Sequence, residues 1–270
     1  MKNRFATFSK YLFLIVVACL SVFPLLWMLI SATNDSQTVL SGSLLPGNKL
    51  LENYRHLLAN QNVWNAMKNS LVYSLSQTVI SLLICSLAGY GFEIYHTKSK
   101  DRLMSVLLMA MMVPLAATMV PLFQMMGSMG LLNSALGFLL PGISTPFLIM
   151  MFRQSARSFP HDIIEAARID GLNELQIFSR MFIPTMKSTY AAAMTITFMN
   201  AWNNYLWPKV IMQTNESITM PMLTANLVAG YVTDYGMLML AVLLSTLPTV
   251  MIFFLLQKSF TEGIAGSVKG

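Results

Sequence analysis

The stretch that most constrains the fold is residues 160–184, which read PHDIIEAARIDGLNELQIFSRMFIP. This stretch is polar and charged, and it lies between two long apolar runs in a chain in which only 10% of the residues are charged. Its pattern predicts two short helices joined at a glycine. A membrane protein has little reason to place such a pair between apolar runs unless something outside the membrane binds it.

The composition is that of a membrane protein. Hydrophobic residues make up 55% of the chain and charged residues 10%, whereas soluble domains carry about 25% charged residues. A bilayer core of about 30 Å needs about 20 apolar residues in a helix, and each spanning segment must satisfy its own backbone hydrogen bonds. We therefore predict an all-α membrane protein with six transmembrane helices. The six apolar runs are residues 11–32, 68–95, 103–127, 135–152, 188–207 and 235–257.

The distribution of basic residues predicts the orientation. If the N-terminus is cytoplasmic, the outer loops hold four of the 17 basic residues, namely Lys49, Arg55, Lys68 and Lys209, and the other 13 are cytoplasmic. The positive-inside rule then places both termini, and the stretch at 160–184 between spans four and five, in the cytoplasm. The net charge of +6 is thus explained by topology, and we expect no nucleic-acid binding.

Sites for metals, cofactors and nucleotides are not expected in this chain. Cys19 and Cys85 lie inside apolar runs without metal or redox spacing, and the three histidines lie outside the spans. Residues 42–49, GSLLPGNK, superficially resemble a phosphate-binding loop but lack its Gly-Lys-Ser/Thr ending. A cleaved signal peptide is also rejected, because the first apolar run is longer than the 7–15 residues of such signals.

Local chemistry predicts the form of the polar stretch. Pro160 suits the first turn of a helix, with Ser158 as its cap. Gly171 is expected to follow the end of that helix in a left-handed conformation. Asn173 and Gln176 approximate a capping box that begins a second helix, and Pro184 should mark its end or a kink.

The motifs of this stretch resemble those of one family. Glu165-Ala166-Ala167, Gly171 and Pro184 fall in the register of the EAA loop of ABC-importer permeases, with Met181 and Ile183 as apolar replacements. Outside this loop, Glu93 departs from the pattern of carbohydrate-importer permeases, in which a basic residue is common at that position. Further resemblance to the smaller, six-span permease of carbohydrate importers, the maltose-transporter type, lies in Asn69-Ser70-Leu71, Val120-Pro121-Leu122, Gly130-Leu131-Leu132-Asn133, Trp202-Asn203 and the C-terminal Gln257, Gly263, Gly266 and Val268-Lys269-Gly270.

The resemblance implies a transport subunit and not an enzyme. It implies a sugar or oligosaccharide substrate, a second homologous permease, two ATPase subunits that bind ATP and Mg, and a soluble substrate-binding protein, in a bacterial inner membrane. Residues 1–67 would form the first span and an outer loop, and residues 68–270 the permease domain with a coupling loop at 153–187. The residues that the resemblance assigns to coupling with the ATPase are Glu165, Ala166, Ala167, Asp170, Gly171 and Pro184.

A substrate path is predicted at the outer end of span five. Amide and aromatic side chains suit a sugar, and this segment holds Asn200, Trp202, Asn203, Asn204 and Tyr205. Asn200 and Asn204 are four residues apart, so they would share a helical face. Interhelical hydrogen bonding between two permeases is the alternative role of these residues.

Prolines in the apolar runs predict irregular helices. Pro114 and Pro121 lie in the third run. They could mark either a simple packing kink or a broken helix beside a transport path. The sixth run is expected to be broken at Pro248.

Two other classes of function are less consistent with the chain. An ion-coupled secondary transporter would need ionisable residues inside its spans, but none lies near a span centre and Glu93 lies at an edge. An intramembrane hydrolase would need a buried serine–histidine or carboxylate pair, and no histidine lies within a span.

Overall fold

The computed structural model describes residues 2–229 and 233–267, with side chains described for 7–229 and 233–257. These residues form helices and connecting turns without any strand, and the C-terminal Val268-Lys269-Gly270 motif lies outside them. The helices are α1 Lys2–Ser31, α2 Ser36–Leu40, α3 Leu50–Asn60, α4 Val63–Ile94, α5 Lys98–Ala110, α6 Leu115–Ser128, α7 Ala135–Leu139, α8 Pro146–Arg157, α9 His161–Ile169, α10 Glu174–Ile177, α11 Ile183–Thr185, α12 Lys187–Trp202, α13 Leu206–Ile211, α14 Met220–Val228 and α15 Tyr235–Ser267. A 3₁₀ turn, Leu140–Gly142, follows α7, and a π-helical turn, Phe178–Phe182, joins α10 to α11.

Three described helices are long and apolar enough to cross a membrane. They comprise Thr7–Ser31, Val63–Ile94 and Tyr235–Gln257, and the count rises to five if each of two bent helix pairs is one span. One pair is α5 with α6, bent by 98°, and the other is α7 and its 3₁₀ turn with α8, bent by 52°. The fifth predicted run forms α12, whose 16 residues extend only about 24 Å. Six spans therefore remain a prediction.

Prolines account for the two bends. Pro114 immediately precedes α6 in an extended conformation, and Pro146 occupies the first turn of α8 with Thr145 as its cap. Both are positions that proline favours, because it has no N–H to donate. Pro248, by contrast, lies inside the continuous α15, so the predicted break at that residue is wrong.

One compact unit consists of Met1–Trp64 and Leu223–Pro248. Its loop segments are joined through polar side chains that are buried or half-buried. The Asn53 amide donates to the carbonyls of Ala32 and Asn34, at 2.9 Å each, and the Ser36 hydroxyl donates to Asp234 Oδ1 at 3.1 Å. The segment before α15 is thereby tied to the turn after α1.

The second unit consists of Asn65–Met222 and Thr249–Gly270, and two buried clusters hold it together. One cluster packs α4, α5, α8 and α12 around Phe152 and Ala193. Gly89 allows the close approach of α4 and α8, since a Cβ there would lie 2.6 Å from Phe152 Cβ. The other cluster packs the end of α4 against α8 to α11, around Tyr90 and Phe182.

Candidate functional site

The first helix of the polar stretch begins one residue later than its sequence suggests. Pro160 is the N-cap of α9, with extended backbone angles and no side-chain cap, and Asp162 lies in the first turn. Ser158 ends α8 instead, and its hydroxyl donates to the Ser155 carbonyl at 2.7 Å. The predicted capping role of Ser158 is therefore wrong, because the preceding helix already extends to Arg157.

The turn after α9 has the conformation that its glycine predicts. Gly171 has a φ of +83°, and its N–H donates to the Arg168 carbonyl at 3.1 Å. The N–H of Leu172 donates to the Ala167 carbonyl at 3.0 Å. These two bonds form a Schellman motif, which requires a left-handed residue at the position of Gly171.

The second helix of the stretch begins with the predicted capping box. Asn173 Oδ1 accepts from the Gln176 N–H at 2.9 Å, and Gln176 Oε1 accepts from the Asn173 N–H at 2.9 Å. Helix α10 continues through the π-helical turn into α11, which ends one residue after Pro184. Since Pro184 cannot donate to the Arg180 carbonyl, the irregular ladder at this point is expected.

The apolar side of α9 is buried against the protein itself. Ile164 and Ala167 are 1% and 3% exposed and pack into the cluster around Tyr90. The Tyr90 ring lies 5.3 Å from Phe178 and 5.0 Å from Phe182, both in edge-to-face geometry. The loop is thus a folded part of the second unit and has a core of its own.

The opposite side of the loop is open. Glu165, Ala166, Asp170, Gly171 and Pro184 are exposed. Two large apolar side chains accompany them, with Ile169 86% and Leu175 68% exposed. We call these residues the exposed loop surface; apolar side chains exposed in this way are typical of contact sites.

An ion pair joins the two helices of the loop. Arg168 Nε donates to Glu174 Oε1 at 2.8 Å. The Arg168 guanidinium, with Tyr95 as a further partner, holds the pKa of the Glu174 carboxyl below its usual value. The pairing is therefore complete at neutral pH and is lost as the pH falls through that lowered pKa. Both side chains are 43% exposed, so its contribution to stability is small.

A second ion-pair network lies at the end of α4. Arg153 on α8 has a side chain only 5% exposed, and its guanidinium pairs with Glu93 at 3.0 Å and with Asp101. Arg157, one turn later, pairs with Glu93 at 3.2 Å, and His96 Nε2 lies 2.9 Å from Asp101 Oδ2. The unusual Glu93 thus binds two arginines of α8.

The residues of the predicted substrate path are not gathered into one site. Asn200 is exposed and lines a cleft of about 320 Å³, whereas Trp202 is 1% exposed and stacks on Phe198. Asn203 caps the end of α12, and its amide donates to the Met199 carbonyl at 2.9 Å. Asn204 and Tyr205 are half-buried and follow the helix. The expected shared face of Asn200 and Asn204 is absent, because α12 ends at Trp202.

Three further polar residues of the cleft were missed by the sequence analysis. Gln77 on α4, Thr145 just before α8 and Thr197 on α12 line the same cleft as Asn200. The available signal was the amide of Gln77 inside an apolar run, since polar groups in spans are expensive and mark functional positions.

Comparison with known protein families identifies the family of this chain. The sequence model of the binding-protein-dependent transport system inner membrane component matches residues 86–266. The chain belongs to this family. As a member, it is an inner membrane permease component of an ABC importer and not an enzyme, and such permeases act with a partner permease, an ATPase and a substrate-binding protein.

Several permeases are similar to this chain along its whole length. The lactose transport system permease protein LacG of Rhizobium radiobacter is 41% identical over 100% of this chain and 98% of that protein. The arabinooligosaccharides permease AraQ of Bacillus subtilis is 34% identical over 96% and 94%. The sn-glycerol-3-phosphate permease UgpE of Escherichia coli K12 is 28% identical over the full length of both.

A solved structure shares the fold of this permease. One chain of a bacterial ABC transporter involved in the import of the acidic polysaccharide alginate superposes with a TM-score of 0.81. That match covers 96% of this chain and 98% of the other, at 22% sequence identity.

Proposed function

We propose that this permease moves a sugar or oligosaccharide across the inner membrane and that its exposed loop surface couples this movement to a separate ATPase. The observation that carries the proposal is the two-sided loop: one side is packed on the end of α4, and the other presents Glu165, Ile169 and Leu175 to solvent. We propose six spans with both termini in the cytoplasm, a homologous companion permease and two ATPase subunits that bind the nucleotide and Mg.

The coupling residues divide into two roles. Glu165, Ala166 and Asp170 are exposed and would contact the cleft of the ATPase directly. Ala167 is buried and fixes α9 on its own chain. Gly171 sets the angle between the two loop helices, and Pro184 stands where the second of them ends. Closure of the ATPases on ATP would displace α9, and the packed side of the loop would pass this displacement to the spans.

The similarity to lactose and arabinooligosaccharide permeases supports a sugar as the substrate. An ion-coupled mechanism has less support. Among the described residues, the buried charged side chain is that of Arg153. It pairs with Glu93 and Asp101 near the ends of their helices. Ion-coupled transport would need an ionisable group that is free to titrate within a span.

Attachment of the ATPase tests the role of the exposed loop surface. Ile169→Ser and Glu165→Lys change exposed side chains, so the chain should fold normally, while lost apolar contact and charge reversal should weaken attachment about tenfold. Leu45→Ser is the matched control, because Leu45 is 76% exposed in the predicted outer loop. The measurement is the ATPase retained on the purified permease, together with ATP hydrolysis stimulated by loaded binding protein. Wild-type retention and stimulation in both loop variants would contradict the proposal.

A further inference from the structure

A cleft of about 320 Å³ lies within the second unit, between α4, α8 and α12. Its polar lining comes from Gln77, Thr145, Thr197 and Asn200, and its apolar lining includes Met111 and Phe147. None of the residues that line it in the described part of the chain is charged. The cleft is therefore polar but uncharged.

Two buried polar atoms of this cleft have no hydrogen-bond partner among the described residues. They are Gln77 Oε1 and Thr197 Oγ1, and their residues are 9% and 5% exposed. Buried side-chain polar atoms are paired in the large majority of cases, because an unpaired one forfeits its hydration without compensation. Gln77 and Thr197 both line the cleft, so these two atoms lie in the side chains nearest to any molecule that enters it.

Both bends of the membrane helices lead to the same cleft. Met111 caps the C-terminal end of α5, and Gly142 and Thr145 flank the interruption before α8. Irregular backbone inside a membrane is tolerated where it is packed in protein or lines a cavity, and interrupted helices are common at transport sites. The carbonyl of Gly142 accepts from Ser81 Oγ at 3.3 Å, so the interrupted backbone at Gly142 is held to α4 by this hydroxyl.

Gly142 is required for the position of the amide. A Cβ at residue 142 would lie 2.2 Å from Gln77 Nε2. The glycine therefore allows the amide of Gln77 to lie against the interrupted backbone, at the wall of the cleft.

We infer that this cleft is where the permease itself contacts the solute during passage, and that the contacting part of the solute is an uncharged, polyhydroxylated ring. Gln77 Oε1 accepts from a hydroxyl, Thr197 Oγ1 donates or accepts, and the Asn200 amide can do both. Phe147 is 47% exposed and offers an aromatic face to a sugar ring. The inference rests on the proposed import of a sugar and adds which part of the chain recognises it.

The absence of charge in this lining discriminates between classes of solute. A phosphate or carboxylate that entered an uncharged cleft would lose its hydration without an ionic partner, which is far more costly than the transfer of a hydroxyl. The cleft thus favours neutral sugars over phosphorylated or acidic ones.

Thr197→Val is the decisive variant, because valine keeps the shape of threonine and removes the unpaired hydroxyl. If no solute binds there, removal of an unpaired buried hydroxyl is neutral or stabilising. Thr195→Val is the matched control on the same helix, since the Thr195 hydroxyl is satisfied by the Ala191 carbonyl at 2.9 Å. Gln77→Met removes the second unpaired atom at similar size.

The experiment measures uptake into proteoliposomes that contain the complete importer and its binding protein. Labelled lactose, arabinotriose, sn-glycerol 3-phosphate and an alginate trisaccharide are the probes, and the probe that the wild type imports fastest is used for the variants. We expect a neutral probe to be imported fastest. Thr197→Val and Gln77→Met should each lower its uptake roughly five- to tenfold, as expected for the loss of one hydrogen bond to the solute. Complex yield and thermal stability should be unchanged, and Thr195→Val should match the wild type.

Other outcomes distinguish the role of the cleft from the proposed import of a sugar. Wild-type uptake by Thr197→Val, or fastest import of an anionic probe, would overturn the assignment of the cleft and leave the importer function intact. Loss of the companion permease from the purified Thr197→Val complex would show that the unpaired atoms bind that subunit, which also overturns the assignment. If sn-glycerol 3-phosphate alone is imported and alone stimulates the ATPase, while no sugar probe does either, the proposed sugar import itself is wrong.

Discussion

At the scale of single residues, two glycines of this permease occupy equivalent positions, each just after the C-terminal end of a helix. Gly171 after α9 and Gly130 after α6 have φ values of +83° and +68°, and each lies in a Schellman motif. No heavy atom lies within 4 Å of a Cβ built on either. An alanine at either position would therefore be strained by its backbone conformation alone.

Gly171→Ala and Gly130→Ala should each lower the free energy of unfolding by about 1 kcal/mol, the cost of a left-handed alanine. Only Gly171→Ala should also lower the ATP hydrolysis stimulated by loaded binding protein, because only this turn positions α10 relative to α9. Gly171→Pro should abolish stimulation, since its φ is fixed near −65° and the bond to the Arg168 carbonyl is lost. The measurements are thermal unfolding in detergent and ATPase activity of the reconstituted complex. Equal effects of the two alanine variants on stimulation would contradict a specific role for the loop.

Residue chemistry predicted the turns of this loop better than it predicted the cleft. The glycine turn and the capping box of Asn173 and Gln176 depend on atoms within three or four residues, so the local sequence is sufficient. Gln77 and Thr197 are 120 residues apart in the chain, and nothing local indicates that they meet. Their pairing depends on how α4 packs against α12, which periodicity does not specify.

At the scale of helices, α8 is fastened to the end of α4 by two arginines of very different exposure. The Arg153 side chain is 5% exposed and bridges Glu93 and Asp101, whereas the Arg157 side chain is 49% exposed and pairs with Glu93 alone. Since α8 leads directly into the loop, these ion pairs hold the end of α8, and with it the entry to the loop, against the end of α4. The Glu93 side chain is itself only 16% exposed, so it depends on Arg153 for neutralisation.

Arg153→Ala should destabilise the permease by about 3 kcal/mol, because it leaves a poorly hydrated carboxylate without its buried partner. Arg157→Ala removes an exposed contact to the same carboxylate and should cost less than about 1 kcal/mol. Thermal unfolding of the two purified variants, compared at the same pH and ionic strength, measures both. Similar destabilisation by the two substitutions would show that burial of the pair at Arg153 has no energetic consequence.

The apolar runs predicted which segments are helical, but they did not predict where several of the helices end. The run at 188–207 was expected to form one helix, yet α12 ends at Trp202, where the buried indole and the capping amide of Asn203 stop it. Ser158 was expected to begin a helix and instead ends one. Asn203 and Ser158 can each continue, begin or end a helix, and tertiary packing decides which of these occurs.

At the scale of the whole molecule, six apolar runs correspond to three long helices and two bent pairs, together with the shorter α12. Hydrophobic composition identifies runs that can enter a membrane, but it does not report bends of 98° and 52° within them. The alternation of inside and outside segments consequently remains a prediction that rests on the basic residues.

Cysteine labelling tests this topology in a chain whose Cys19 and Cys85 have been replaced. Cysteines at Ser99 and Ser179, both exposed and predicted to be cytoplasmic, should be protected from an impermeant thiol reagent in intact cells. Cysteines at Ser41 and Asn215, both exposed and predicted to be external, should react once the outer envelope is permeable. Ser217 is unsuitable as an external site because it is only 5% exposed. Reversed labelling would contradict the six-span arrangement.

The ring cluster beneath the loop has a mechanical consequence. Tyr90 on α4 contacts Phe178 and Phe182, and Phe182 in turn contacts Phe159 just before α9. Close-packed interiors have low compressibility and transmit strain. A push on α9 would therefore reach the end of α4 with little elastic loss. The stiffness of this aromatic contact would then determine how much of a displacement of α9 reaches the spans, independently of how tightly the loop is bound.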